Sequence, residues 1–193
     1  MQKTFKYLGT KIHFNDSSIN GNEILHRKIQ ATQKFDANKK LFKNFKICLN
    51  TRVKLLNSLV RSRLTYNCQI WPLNKTQIKT LNAVYVRFLR QIIRHGQTKI
   101  PGTYKPMLKN EEIYQLTNCE ELSSYINRFQ GNFMANIITT DNDNTNKRLL
   151  FNDDKQTKRG RKGTKLFQQV YVSQNKTERE FCLSAMQKKI YFR

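Results

Sequence analysis

Carboxylates are scarce in this sequence. Thirteen Asp and Glu stand against 36 Lys and Arg in 193 residues, a formal net charge of +23. From Ala37 to Asn110, a run of 74 residues, there is no acidic residue at all, yet sixteen Lys and Arg fall inside it. A solvated helix surface ordinarily mixes signs, because opposite charges four residues apart support the helix. A one-sided surface repels itself unless an anion is bound. Nucleic acid supplies such anions in rows, and each neutralised phosphate releases counterions. The bland alternative is a chance composition in a proteome rich in Lys and Asn. Also missing is any run of about 18 apolar residues, so no membrane-spanning helix is expected. The N-terminus lacks the apolar stretch of a signal peptide. Cys48, Cys68, Cys119 and Cys182 stand far apart, with no CxxC or CxH pair, and His13, His26 and His95 do not cluster with them. Zinc-ligand spacing is therefore absent, no metal site is expected, and the thiols read as reduced thiols of an intracellular protein. Hydrophobic residues make up 38%, enough for a core but not a generous one.

The apolar pattern is helical over most of the chain. Residues 5–14 read as extended and are followed by turn residues at Asn15–Ser18. A first helix is expected from about Asn20 to Lys46, with Ile24, Ala31, Phe35, Phe42 and Phe45 on its apolar side. A second starts at Asn50 or Thr51, carries Val53, Leu56, Leu59, Val60 and Leu64, and ends before Pro72. The third has the cleanest pattern. Asn74 with Gln77 resembles a capping box, Ile78, Leu81, Tyr85, Phe88, Leu89 and Ile92 share a face, and Lys79, Arg87, Arg90 and Arg94 fall opposite. Asn118 with Glu121 suggests another capping box, opening a helix through Leu122, Ile126, Phe129, Phe133 and Ile137. A polar loop, a basic Gly-containing run at 158–165 and an amphipathic segment from Glu178 to Tyr191 complete the chain. The basic run reads as a solvated tail adding sequence-independent affinity or nuclear targeting.

Several strings, in order, resemble one family. FKYLGTKI (5–12) is similar to the primer-grip hairpin that ends the palm of LINE-type, non-LTR retrotransposon reverse transcriptases. EILHRKIQATQKF (23–35), LNTRVKLLNSLVRSRLTYNCQIW (49–71) and LNAVYVRFLRQII (81–93) resemble the helices that follow it. NEEIYQLTNCEELSSYINR (110–128), NFMANIITTDN (132–142) and KRLLFNDDKQTKRGR (147–161) resemble the post-thumb region. Each string is weak alone; their order makes the resemblance fairly specific, and it covers nearly the whole chain. Two positions depart from the family pattern, Asn136 where a His is usual and Thr139 where an Arg is usual, which leaves the role of that element open.

The resemblance implies a mainly α fold. A short N-terminal β-hairpin remnant (1–16) leads into a three-helix thumb-like bundle (17–96). A loop with post-thumb helices follows (97–138), then a polar loop and flexible basic tail (139–193). It further implies a thumb that holds a template–primer duplex, with Phe5, Tyr7, Leu8 and Gly9 as the primer-grip-like turn. Residues expected to meet nucleic acid are Arg52, Lys54, Arg61, Arg63, Lys79, Arg87, Arg90 and Arg94, with Lys158, Arg159, Arg161 and Lys162 in the tail. The expected partners are RNA, DNA or an RNA–DNA hybrid, and a palm supplied by a longer polypeptide; no membrane is expected, and the location is nuclear. Mg²⁺ belongs only to a complete polymerase, whose metal-binding carboxylates lie in the family upstream of residue 5. No catalytic residue or cofactor is therefore expected in this stretch. Phe151-Asn152-Asp153-Asp154 imitates the aromatic-x-Asp-Asp turn of a palm, but it follows a helix-and-loop region and has no third Asp on a neighbouring strand pattern. Tyr66 and Trp71 are candidate base-stacking residues; for Trp71, before Pro72, a core plug is the stronger reading. Other classes remain: a basic helical RNA-binding protein, or a non-functional relic of a transposable element.

Overall fold

The computed structural model describes residues 4–7, 9–13, 19–93, 108–140, 170–172 and 174–191, with the backbone alone at 4–7, 10–13, 19–20 and 188–191. The fold is mainly α. At the N-terminal end β1 (Thr4–Tyr7) pairs antiparallel with β2 (Thr10–His13), Thr4 opposite His13 and Tyr7 opposite Thr10. Gly9 in the connecting turn has φ +80°, a conformation that only glycine adopts without strain.

Helix α1 runs Ile19–Ala37 and a short α2 runs Lys39–Phe42, so the first expected helix is interrupted. The break is at Asn38, whose side-chain amide donates to the Lys34 carbonyl at 2.8 Å. Its local bonding competes with the helical ladder, as asparagine tends to do. Phe45 consequently lies beyond the helix and is exposed instead of continuing its apolar stripe. The second expected helix is present in pieces: α3 (Leu49–Leu56), a π turn (Asn57–Arg61) and α4 (Ser62–Leu64), then a 3₁₀ turn at Cys68–Ile70. Helix α5 (Lys75–Ile93) opens with the expected capping box: the Asn74 carboxamide oxygen accepts from the Gln77 N–H at 2.8 Å, and the Gln77 side chain accepts from the Asn74 N–H at 2.9 Å. Helix α6 (Asn110–Thr117) follows, then α7 (Leu122–Thr139) and, near the C-terminus, α8 (Glu178–Tyr191).

The second predicted capping box does not form. Asn118 is instead the left-handed C-cap of α6 (φ 48°), a conformation asparagine tolerates. Glu121 accepts from the Asn82 side chain at 2.5 Å, and Asn82 Oδ1 accepts the Ser123 N–H at 3.1 Å. An asparagine on α5 thus satisfies a donor in the first turn of α7, a cap supplied from 41 residues away.

The chain divides into two compact units. The first takes the described residues up to Asn67 together with Asn74–Ser124; the second takes Cys68–Leu73 and those from Tyr125 onward. In the first, α1 packs on the π turn, α4 and α5, and α3 packs on α5 and α6. Its core holds Ala31, Phe35, Phe42, Leu56, Val60, Leu64, Leu81, Tyr85, Phe88, Leu89 and Ile92, all buried. Phe35 stacks on both Phe42 and Phe88, with ring centroids 5.0 and 4.7 Å apart. Burial of each ring contributes about 1.5–3 kcal/mol and each aromatic pair about 1 kcal/mol more. Helix α6 belongs with this unit because Ile113 is buried and the helix lies on α5 and α3. The expected grouping of 97–138 therefore divides in the structure.

In the second unit, Gln130 is buried and donates to the Cys68 and Trp71 carbonyls at 3.0 and 2.7 Å. That clamp draws the 68–73 strap to this unit. Met134, Ile138, Val170, Phe181 and Ala185 form its apolar cluster. Helix α8 begins with a true capping box, Thr177 and Glu180 bonding each other's backbone N–H at 2.8 and 3.3 Å.

Candidate nucleic-acid interface

Helix α5 supplies the basic face. Leu81, Tyr85, Phe88, Leu89 and Ile92 point inward, so the opposite side must face water. Lys75, Lys79 and Arg87 are exposed there. Along the helix axis they are spaced by about 6 and 12 Å. Among the described residues none of the three has a carboxylate within ion-pair distance, and the same holds for exposed Lys54 and Arg63 on the second helix. Exposed Lys39, Lys40, Lys43 and Lys46 extend the uncompensated charge over α2 and the loop after it.

The structure separates the other expected contacts from this set. Arg52 is a correction. It is only 6% exposed, its Nε donates to the Ile47 carbonyl at 3.0 Å, and its Nη1 donates to the Phe42 and Ile92 carbonyls at 3.2 and 2.9 Å. It is committed to the bundle interior and is not presented to phosphate. Arg61 is half-buried on the π turn, and its charge acts on the nearby Tyr85 hydroxyl. That hydroxyl donates to Asn57 Oδ1 at 2.7 Å, and burial pushes its pKa well above the usual tyrosine value. Arg90 is half-buried and donates to Asn110 Oδ1 at 2.9 Å, tying α5 to the start of α6. Arg94, Lys158, Arg159, Arg161 and Lys162 lie outside the described residues, as do Asp153 and Asp154.

Of the primer-grip-like residues, Phe5 and Tyr7 lie on β1, Leu8 is outside the described residues, and Gly9 is the turn. The turn is held from behind. Arg27 is buried, paired with buried Glu23 at 2.6 Å, and donates to the Gly9 carbonyl at 2.7 Å. Its guanidinium lies 4.5 Å from the Tyr66 ring centroid, and a Cβ on Gly9 would meet that ring at 3.6 Å. Tyr66 therefore wedges beside the turn, while 46% of it remains exposed. Trp71 is 3% exposed, a core plug unavailable to a base, and its indole N–H has no hydrogen-bond partner among the described residues. The burial of Trp71 follows the core-plug reading of the sequence, whereas the ties made by Arg27 and Arg52 were not visible there, because both sit at helix positions that read as ordinary basic residues.

Cys48 is exposed just before α3, and its thiol pKa is lowered, first by the Thr51 hydroxyl 3.0 Å away. Cys68 is buried, and desolvation pushes its pKa up to about 12. Among the described residues no three His, Cys, Asp or Glu side chains are grouped to hold a metal. Among the same residues no helix is long and apolar enough to cross a membrane.

No protein family, no curated protein sequence and no solved structure matches the chain.

Proposed function

We propose that this chain holds nucleic acid by phosphate contacts, as the thumb and post-thumb region of a LINE-type reverse transcriptase, and is not catalytic alone. The observation that carries the reading is the outer face of α5: Lys75, Lys79 and Arg87 exposed together with no neighbouring carboxylate among the described residues. Such a face on a rigid, well-capped helix suits a row of phosphates, which position a duplex without reading its sequence. The order of the family-like strings favours an RNA–DNA hybrid as the duplex, held beside a palm from a longer polypeptide. The Arg27–Gly9 contact supports this, since a primer grip needs a turn fixed against the thumb. No cofactor is needed for holding.

The test is fluorescence anisotropy of the chain with an RNA–DNA hybrid, duplex DNA and single-stranded RNA over a salt series. Binding should weaken steeply with salt, with the hybrid bound at least as tightly as duplex DNA. Replacing Lys75, Lys79 and Arg87 by Gln should lower the salt slope by roughly one for each phosphate no longer neutralised. An unchanged slope removes the α5 face from the interface. Binding to structured RNA alone, with no affinity for the hybrid, replaces the thumb reading by that of a basic RNA-binding protein.

A further inference from the structure

One guanidinium pins a loop of lysines against the end of the basic helix. Arg52 Nη1 donates to the Phe42 carbonyl at 3.2 Å and to the Ile92 carbonyl at 2.9 Å, and its Nε donates to the Ile47 carbonyl at 3.0 Å. Phe42 and Ile47 bracket residues 43–46, and Ile92 lies in the last turn of α5. Both ends of the loop are therefore tied to the place where α5 stops. Within it the Asn44 N–H donates to the Leu41 carbonyl at 3.2 Å, and the Asn44 side-chain oxygen accepts from the Lys46 N–H at 3.0 Å. Lys43 and Lys46 are exposed, as are Lys39 and Lys40 on α2 just before them. Among the described residues none of the four has a carboxylate within ion-pair distance. Like charges fixed this close together repel one another until an anion joins them.

From this juxtaposition we infer that the lysine loop between α2 and α3 is a second phosphate site, continuing the track of α5 past its C-terminal end, so that full grip requires about one turn of duplex. The inference rests on the nucleic-acid reading above and gives its ligand a length. From Lys75 to Ile92, α5 rises about 25 Å. Phosphates of one strand advance about 3.4 Å each along a duplex, so α5 alone spans about seven of them. The loop extends the track by about one helix width, roughly 10 Å. That distance takes in about three more phosphates, and the whole track then matches a turn of about 10 base pairs. Lysine suits this site. Its ammonium is a point charge on a flexible stem, which follows a phosphate without demanding a fixed geometry. The loop adds affinity and length dependence, and no preference for sequence.

The experiment uses the full chain and RNA–DNA hybrids of about 7, 10 and 14 base pairs, each closed by a neutral linker so that the shortest stays paired. Anisotropy over a salt series gives the salt slope for each length. In the parent the slope should rise by two to three from about 7 to about 10 base pairs and then stay level. A loop variant carrying Lys39→Gln, Lys40→Gln, Lys43→Gln and Lys46→Gln should match the parent on the shortest hybrid and show no rise beyond it. The four side chains are exposed, and circular dichroism checks that the helices are retained. The inference is overturned if the parent's slope is already level at the shortest length, or if the loop variant loses as much on the shortest hybrid as on the longer ones. In either case, a slope that falls when Lys75, Lys79 and Arg87 become Gln leaves the duplex-holding reading standing. A slope unmoved by that change, at every length, removes the α5 face and the continuous track with it.

Discussion

The bundle interior and the outer face of α5 carry the same kind of side chain to opposite ends. Inside, Arg27 and Arg52 are buried; outside, Lys79 and Arg87 stand in water. The difference lies in what neutralises them. Arg27 precedes the acid-free run and has Glu23 one helical turn away. Arg52 lies inside that run, and backbone carbonyls receive it instead, two of them at the ends of α2 and α5. Those are the negative ends of helix dipoles, where a cation is favoured. A cation with carbonyl acceptors at a helix terminus becomes a structural tie. One on an outward face with no such acceptor among the described residues stays in solvent.

The strongest way to break the comparison is to remove the interior tie. Arg52→Ala should lower stability by about 3 kcal/mol, since it strips the donor from three carbonyls, and should shift the urea midpoint accordingly. Arg52→Lys should recover only part, because an ammonium lacks the guanidinium fork. A midpoint unmoved by Arg52→Ala would mean that the interior arginine holds nothing. Gln130→Leu extends the comparison to a neutral clamp in the second unit. Losing its bonds to the Cys68 and Trp71 carbonyls should cost about 2 kcal/mol, visible as earlier proteolysis around the 68–73 strap; unaltered cleavage would argue that the clamp is idle.

Tyr85 sharpens the comparison through pH. Burial raises its pKa, and desolvation raises that of Tyr114 to about 12, so both stay protonated in the folded state while the unfolded chain releases protons near pH 10. Their stability contribution is fully present below that point and is lost as pH rises through the folded values. In Tyr85→Phe the stability lost between pH 8 and pH 10.5 should be smaller than in the parent by about 1 kcal/mol or less. Equal losses would place the titrating groups elsewhere. The smallest expected effect is on the outer face, where Lys79→Gln with Arg87→Gln should change stability by no more than about 0.5 kcal/mol. A larger drop in thermal midpoint would show that these side chains serve the fold.

What the sequence made legible follows from local rules. The period of α5 and its Asn74–Gln77 box needed only nearby residues, as did the exposure of Lys79 and Arg87, and so did the span of α8. What stayed hidden depends on distant partners. Arg52 looked like any basic residue near an apolar stripe until Ile92, forty residues on, provided a carbonyl. Asn118 and Glu121 had the right spacing for an N-cap, but α6 ends there, and Asn82 takes over the capping. Asn38 broke the first helix against an apolar pattern that continued past it, which is how Phe45 came to be outside. The π turn at Asn57–Arg61 left no mark in the hydrophobic spacing.

Arg52 has a consequence for how this sequence can drift. Every acceptor it uses among the described residues is a main-chain oxygen, at Phe42, Ile47 and Ile92. Such a grip is blind to the side chains at those positions and registers only where the backbone passes. It works as a length gauge on three segments at once. Point substitutions along them leave the gauge satisfied, whereas one inserted or deleted residue would carry a carbonyl out of reach.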